Sequence, residues 1–566
     1  APRGDMTKIT VAPQQPQTVW LDVAATGLGL AEVSVIGVTK SAELGELTHH
    51  QAVKLPVRTA TAFGSESRVV TLQAGEKLSF DVPNGFIAEQ SKQTLTVGPS
   101  PLLRLLPAVE NLIDYPYGCV EQTSSRMAGL LAAAQIFSHE ADKDHRRAAI
   151  DDMLDAGVAR LWSYQNASGG LGYWPGMNPE MWLTAYAAGI LADVKQYGRP
   201  VNERFIGDLL KYLAASLDGR NGESLDANTR ASICRVFAVY QQAPLGWMAK
   251  LTEQLDQLDA GGRADLARAW LAAGRRDRAA VVLAENPVSH LTKQHSYYGR
   301  LTSPFVQQAA VLKALAELDP RDARIQELVR SIEASRRGGY WLSTLENAAA
   351  LSALAQAQAA FSREAPDFKG VLKAANGESI EFDHSALKTL KFDKPLQPLH
   401  LETIGKGECY VTHTTSGLRA NPQVADAGLK VRRVWKDRQG KVINPQNVKV
   451  GDLINVTIEL QSLTQELRNI VIVDALPAGF EVENPRLANS ANQQAEDEAE
   501  QGPQRTEFLD DRVLLFTTAR LHGSSYSYLV RATAVGNFDA PGIQAVSMYS
   551  PDLVSVDAAT TVKIEK

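Results

Sequence analysis

The sequence predicts a multidomain α and β protein, with β structure first, a large helical block next and β structure again, on three observations. With 566 residues the chain is too long for one ordinary core, so several domains are expected. Its composition changes twice. The hydrophobic period changes with it, from two-residue alternation to three- and four-residue spacing and back.

From Ala1 to about Ser100, β-branched residues alternate in AEVSVIGV and KLSFDV between Gly, Pro, Ser and Asn, a sandwich-like pattern. From about Leu102 to Phe361, Ala/Leu/Arg segments such as SSRMAGLLAAAQIF and RADLARAWLAA place apolar residues at helical spacing. In the first of these, Met127, Leu130, Leu131, Ala134 and Phe137 share one face. Roughly a dozen helices joined by short turns fit in this block. GGLGYWPGMNPEMWLTAYAAGIL and GGYWLSTLENAAALSALAQ echo each other, which suggests helical pairs in a ring or solenoid; an irregular bundle is the alternative.

After Phe361 strands return. VGDLINVTIELQS sets Ile454, Val456, Ile458 and Leu460 on one face, and RNIVIVDALPAGFEV and SYSYLVRATAVG read as further strands with turns at Pro477 and Gly536. The stretch 488–504 lacks large apolar residues and is expected to be a mobile loop. A helical block entered and left through strands suggests an insertion, with 61–82 and 398–417 as candidate pairing partners.

A net charge of -6 gives no electrostatic case for nucleic acid or an anionic membrane. No apolar run approaches the roughly 20 residues that span a bilayer, and APRGDMTK is not a signal pattern. Three cysteines, Cys119, Cys234 and Cys409, are an odd number, too dispersed for a metal cluster or a complete disulfide framework. His49 and His50 lack a spaced third ligand, so no metal site is expected there. GGLGYWPG is too aromatic and Pro-interrupted for a phosphate loop. Trp162, Tyr173, Trp174 and Trp182 fit helical core better than a ligand cavity.

In YPYGCVEQTSSR, Cys119 stands at a helix start, where the dipole and free N–H groups favour a thiolate. Gln122 follows three residues on. Across one tight turn the pair gains an effective molarity of about 10⁵ M or more. Attack of Sγ on the Gln122 carboxamide would expel ammonia and leave an internal thioester. An isolated cysteine in a helical domain is more often buried and inert. The surrounding string argues otherwise.

YGCVEQ resembles the Cys-x-Glu-Gln thioester signature of the alpha-2-macroglobulin and complement family, and YPYGCVEQ resembles its bacterial branch. MWLTAYA (181–187) and GGYWLSTLENAAAL (338–351) resemble that family's thioester domain, an α/α toroid. VKVGDLINVTIEL, DALPAGFEVENPRL, DDRVLLF and MYSP (548–551) resemble its C-terminal macroglobulin-like domain. The likeness covers most of the chain beyond about Leu55; residues 1–54 are weakly diagnostic.

The resemblance implies a partial macroglobulin-like β-sandwich over 1–54 and a CUB-like β domain split into 55–100 and 363–424. It also implies the toroid over 101–362 and a C-terminal macroglobulin-like sandwich over 425–566. The chain is then expected to be the C-terminal portion of a longer molecule. The implied function is broad-spectrum endopeptidase inhibition in bacterial defence, a single-use covalent trap rather than an enzyme and without a cofactor. Its partners are host or competitor proteases. The implied setting is the periplasm, as a monomer with periplasmic accessory proteins, attached to the cell membrane only through a lipid anchor outside this chain.

In that scheme Cys119 supplies the sulfur and Gln122 the acyl carbon. Glu121 belongs to the motif, with a direct role or mere dipole complementarity both open. Tyr115, Tyr117 and Met548 shield the thioester from water. Some family members pass the acyl group to a histidine about a hundred residues beyond the glutamine; here none lies between His145 and His290, so direct aminolysis by lysine amines is expected. His139 and His145 lie on a polar helix end and read as solvated. The alternatives are an adhesion or scaffold protein, with or without the thioester, and a cysteine hydrolase, for which His290 and His295 offer no recognisable partner motif.

Overall fold

The computed structural model describes residues 23–25, 27–41, 45–57, 63–137, 143–220, 225–285, 287–291, 299–358, 366–392, 396–419, 424–483 and 502–566. They fall into two units, 1–62 and 63–566. Among its described residues the first unit contains β1 (Gly29–Ser41) and β2 (Gly45–Val57), paired antiparallel from Gly29 opposite Val57 to Ser41 opposite Gly45. The expected boundary after residue 54 falls inside β2. His49 and His50 are exposed on it.

The second unit opens with β3 (Phe63–Gln73), β4 (Lys77–Phe80) and β5 (Phe86–Gly98), leaves for the helices, and returns with β6 (Asp367–Ala374), β7 (Ser379–Asp383), β8 (Lys388–Phe392), β9 (Leu399–Lys406) and β10 (Glu408–Arg419). These make two four-stranded sheets, ordered β3-β10-β5-β8 and β4-β9-β6-β7. The pairing expected across the helical block occurs: β3 runs antiparallel to β10, and β4 to β9. Leu95, Val411, Phe80 and Leu401 fill the space between the sheets, because alternation sends one residue in two inward from each. One sandwich is thus completed by strands some three hundred residues apart, with the helical domain inserted between them.

Among the described residues the helices are α1 (Leu106–Asp114), α2 (Val120–Ile136), α3 (Lys143–Ser163), α4 (Met181–Tyr197), α5 (Glu203–Leu217), α6 (Ala227–Val239), α7 (Leu245–Glu253), α8 (Ala260–Ala272), α9 (Arg276–Ala284), α10 (Pro304–Leu318), α11 (Arg324–Ala334) and α12 (Thr344–Gln356). Many starts carry side-chain caps: Asn202, Asp226, Asp259, Ser303 and Ser343 each accept a first-turn N–H.

Helix α2 packs on α4, α4 on α6, α6 on α8, α8 on α10, α10 on α12, and α12 back on α2, so the even-numbered helices close on themselves. This excludes the irregular bundle. The two echoed segments end in α4 and α12, the neighbours of α2 on either side. The predicted apolar stripe on α2 is present at Met127 and Leu130, but burial spreads much wider, to Thr123, Ser124 and Ser125, because an inner helix has neighbours on nearly every side.

The last domain holds β11 (Ala425–Ala427), β12 (Leu429–Lys436), β13 (Val448–Lys449), β14 (Leu453–Ser462), β15 (Leu467–Ala475), β16 (Phe480–Val482), β17 (Arg505–Phe508), β18 (Arg512–Ala519), β19 (Ser524–Ala532), β20 (Gly536–Ala540), β21 (Gln544–Ser547), β22 (Val554–Val556) and β23 (Thr560–Glu565). A sheet ordered β11-β22-β21-β15-β18-β17 faces one ordered β12-β14-β19-β16. The alternation read in β14 holds, with Ile454, Val456, Ile458 and Leu460 in the sandwich core. Most of the expected loop at 488–504 lies outside the described residues.

Strands β15 and β18 instead have near-continuous apolar runs, the pattern of a sheet covered on both faces. Ile470, Ile472, Val513 and Leu515 enter the sandwich, while Val471, Leu514 and Phe516 join the core of the helical domain together with Met548 and Tyr549. This outward face brings the last domain onto the start of α2.

Candidate functional site at the start of helix α2

Cys119 is the N-cap of α2, with extended backbone (φ -65°, ψ 175°), and Gln122 is its third residue. The two form a reciprocal capping box: the Gln122 backbone N–H donates to Sγ at 3.5 Å, and the Cys119 backbone N–H donates to Oε1 of Gln122 at 3.1 Å. A sulfur thus occupies the place of the usual cap hydroxyl. The same geometry that satisfies helix-end N–H groups holds a thiol beside a carboxamide and sets a main-chain donor on the carboxamide oxygen.

Side chains anchor the approach to this turn. The Gly118 carbonyl accepts from the Tyr164 hydroxyl (2.9 Å) and Arg160 Nε (3.1 Å), and Arg126 donates to the carbonyls of Leu112 and Tyr115. From the glycine-rich loop the Tyr173 carbonyl accepts the Val120 N–H at 3.1 Å. That loop has no room to spare: a Cβ on Gly172 would lie 2.8 Å from the carbonyl oxygens of both Met177 and Asn178. Backbone cannot swing aside as a side chain can. Gly172→Ala is expected to cost about 1–3 kcal/mol, measured as a lower denaturant midpoint with an unchanged slope.

The last domain covers the pair. Nε2 of Gln122 donates to Sδ of Met548 at 3.2 Å, and the Tyr549 hydroxyl lies 3.9 Å from Sγ. Cys119 is 0% exposed, Gln122 2%, and Met548 and Tyr549 5% each. Tyr115 and Tyr117 meet edge to face at 5.6 Å, and Tyr117 meets Phe516 of β18 likewise at 5.5 Å. Both are only partly buried, so Met548 and Tyr549 close the site more completely than the two upstream tyrosines.

One expectation about charge needs correction, and one alternative left open is narrowed. The helix start does not lower the Cys119 pKa: burial, reinforced by the Glu121 carboxyl, pushes the thiol up to about 12, overriding the N–H bonds that favour thiolate. Nor is Glu121 a solvated complement to the dipole. It is 0% exposed and accepts from Ser125 on Oε1 and from Thr344 (2.9 Å) and Tyr549 (2.8 Å) on Oε2. Burial raises its pKa against those three donors. One carboxyl thereby joins α2, the start of α12 and the last domain.

Tyr549, Thr344 and Ser125 were not singled out from sequence. Tyr549 follows Met548 directly in MYSP and shared its signal; Thr344 and Ser125 carry no local mark. Trp174 packs on Phe516 at 4.5 Å, while Trp162 stacks on Phe205 and is half exposed. Trp182 does line a cavity of about 140 Å³ between the inner helices, beside Tyr186, Arg235, Arg268 and Lys313. His290 lies 3.3 Å from Glu285; His139, His295 and the His145 side chain are outside the described residues.

A ring of helices is thus inserted in one β-sandwich, and a second sandwich closes over the start of one helix of the ring. Residues 96–229 match the family described as A-macroglobulin TED domain, and 428–552 that described as Bacterial Alpha-2-macroglobulin MG10 domain. Along both stretches the chain is similar to the bacterial alpha-2-macroglobulins.

Among curated relatives, alpha-2-macroglobulin of Escherichia coli K12 is 26% identical over 97% of this chain and 35% of its own length; that of Xylella fastidiosa Temecula1 is 26% identical over 88% and 32%. The chain therefore spans about a third of the length of the relatives it matches. The native Escherichia coli structure running from domain MG7 to the C-terminus superposes with a TM-score of 0.77 at 23% identity, covering 96% of this chain and 88% of that one. Salmonella alpha-2-macroglobulin reacted with methylamine gives 0.76 at 23%, covering 95% and 36%. At this identity the likeness concerns the fold.

Proposed function

We propose that this chain is the thioester-bearing part of a covalent protease trap. The observation that carries the reading is the buried, reciprocal bonding of Cys119 and Gln122 beneath Met548 and Tyr549. In this reading the closed helical ring is the α/α toroid, the split sandwich is the CUB-like domain, and the region upstream of it belongs to a macroglobulin-like sandwich. Their boundaries are those the sequence suggests near residues 100, 362 and 424, with the first moved from 54 to about 62, beyond β2.

An acyl donor is useful only while water is kept away. Tyr115, Tyr117, Met548 and Tyr549 exclude it, and a protease cut elsewhere in the molecule separates the last domain from the toroid. A lysine amine of the attacker then reaches the Gln122 carbonyl, Sγ of Cys119 leaves, and the protease is held through an amide. With no histidine in the interval where an acyl-accepting imidazole would fall, amines are preferred over hydroxyls. Burial also favours this over a hydrolase, whose thiol must admit substrate. Placement in the periplasm, a monomeric state and attachment by a lipid anchor outside this chain are part of the same proposal.

Intact mass tests the reading. The protein is expected about 17 Da below its sequence mass from loss of ammonia, and to gain about 31 Da with methylamine while releasing one thiol. Glycerol should capture the acyl group far less efficiently than methylamine. A full sequence mass with no response to amine would leave Cys119 an inert helix cap.

A further inference from the structure

The reading above does not say how the bond between Cys119 and Gln122 is made. We infer that Tyr549 and Glu121 form a proton relay with which the chain makes its own Sγ–Cδ bond, an autocatalytic acyl transfer; this rests on the thioester reading. The last domain would then be needed to create the cross-link as well as to cover it.

The geometry gives each participant a place. The carboxamide is oriented at both ends: its oxygen accepts the Cys119 N–H at 3.1 Å, a main-chain donor able to stabilise charge developing on that oxygen. Its nitrogen, the leaving group, points to Met548 at 3.2 Å. The Tyr549 hydroxyl stands between Sγ, at 3.9 Å, and Oε2 of Glu121, at 2.8 Å. Ser125 and Thr344 fix the two carboxyl oxygens. A thiol pushed up to about 12 does not ionise unaided, so attack needs a proton acceptor in contact with it.

The step balances. Sγ attacks Cδ of Gln122 as its proton passes to the Tyr549 oxygen and the Tyr549 proton passes to the Glu121 carboxylate. The resulting oxyanion rests on the Cys119 N–H. Collapse breaks Cδ–Nε2, and the proton held by Glu121 returns through Tyr549 to the departing nitrogen, which leaves as ammonia. Thiol plus carboxamide becomes thioester plus ammonia, with no oxidant or reductant, and both relay residues end as they began. Tyr549 touches the reacting sulfur; Glu121 acts through it and is a positioning residue.

Tyr549→Phe keeps the ring and removes the hydroxyl, and Glu121→Gln keeps the shape and removes the base. Protein purified soon after pulsed synthesis is followed by intact mass as the deficit of about 17 Da appears. Both variants are expected to acquire it about a hundredfold more slowly than wild type. Because the phenyl ring still covers the pair, the cross-linked fraction of Tyr549→Phe should lose far less of its lifetime in water than the hundredfold by which its formation slows, a split that a purely shielding role would not give. Maturation of both variants at the wild-type rate overturns the relay. Should Glu121→Gln fail to fold, Tyr549→Phe alone decides. A wild type that never loses ammonia overturns the thioester reading itself, and the relay with it.

Discussion

Cys119→Ala is expected to abolish methylamine incorporation altogether, because the only other sulfur beside the Gln122 carboxamide among the described residues, that of Met548, is a thioether and cannot form a thioester. Its effect on folding should be small, about 1 kcal/mol, the usual cost of losing a helix N-cap. Cys234→Ala and Cys409→Ala are the informative controls. All three cysteines are free and buried, and burial pushes each thiol up to about 12. Acidity therefore does not single out Cys119; its neighbour does. Both controls should incorporate amine as wild type does. Gln122→Glu completes the set, since a carboxylate has no ammonia to lose and resists attack by a thiol. Incorporation measured by intact mass checks all four, and persistent uptake by Cys119→Ala would show that another group is the acyl donor.

The second large effect concerns the shield. Tyr117 packs against Phe516 and Met548 against the Gln122 amide, so both tie the last domain to the helix start. If the buried Met548 and the larger, partly buried Tyr117 each contribute about 2 kcal/mol, the pair holds the open state near one part in a thousand. Replacing both by alanine should raise that population by up to roughly 10³-fold, and water should consume the acyl donor correspondingly faster. The lifetime of methylamine-reactive protein in buffer measures it directly. A double variant that lasts as long as wild type would mean that these residues are ordinary packing and that closure is held elsewhere.

Local pattern carried much of the architecture into the sequence. Strict alternation in β14 marks a strand with one apolar face, and Ile454 to Leu460 lie where it puts them. The insertion was readable because strand patterns flank the helical block, although only pairing of β3 with β10 fixes which strands meet. Cys119 and Gln122 were visible because their relation is four residues long. The sequence leaves the role of Glu121 open, for its partners Thr344 and Tyr549 lie 223 and 428 residues away, and no local period encodes such a meeting.

The direction of the Cys119 pKa failed for a related reason. A helix start is a local property that favours the thiolate, whereas desolvation is tertiary and comes from the helical core together with the last domain packed on it. The continuous apolar runs of β15 and β18 already hinted at that cover, since residues on both faces of the sheet are buried. What they could not reveal is that the outward face meets the start of α2.

The central claim is a covalent bond between two side chains in one helical turn. Proteolysis of freshly purified protein, followed by mass spectrometry of the peptide spanning 119 to 122, addresses it most directly. The account predicts a peptide about 17 Da lighter than its sequence, refractory to alkylation at Cys119 until methylamine is added. A peptide of full mass, alkylated at Cys119 without any amine, would contradict it.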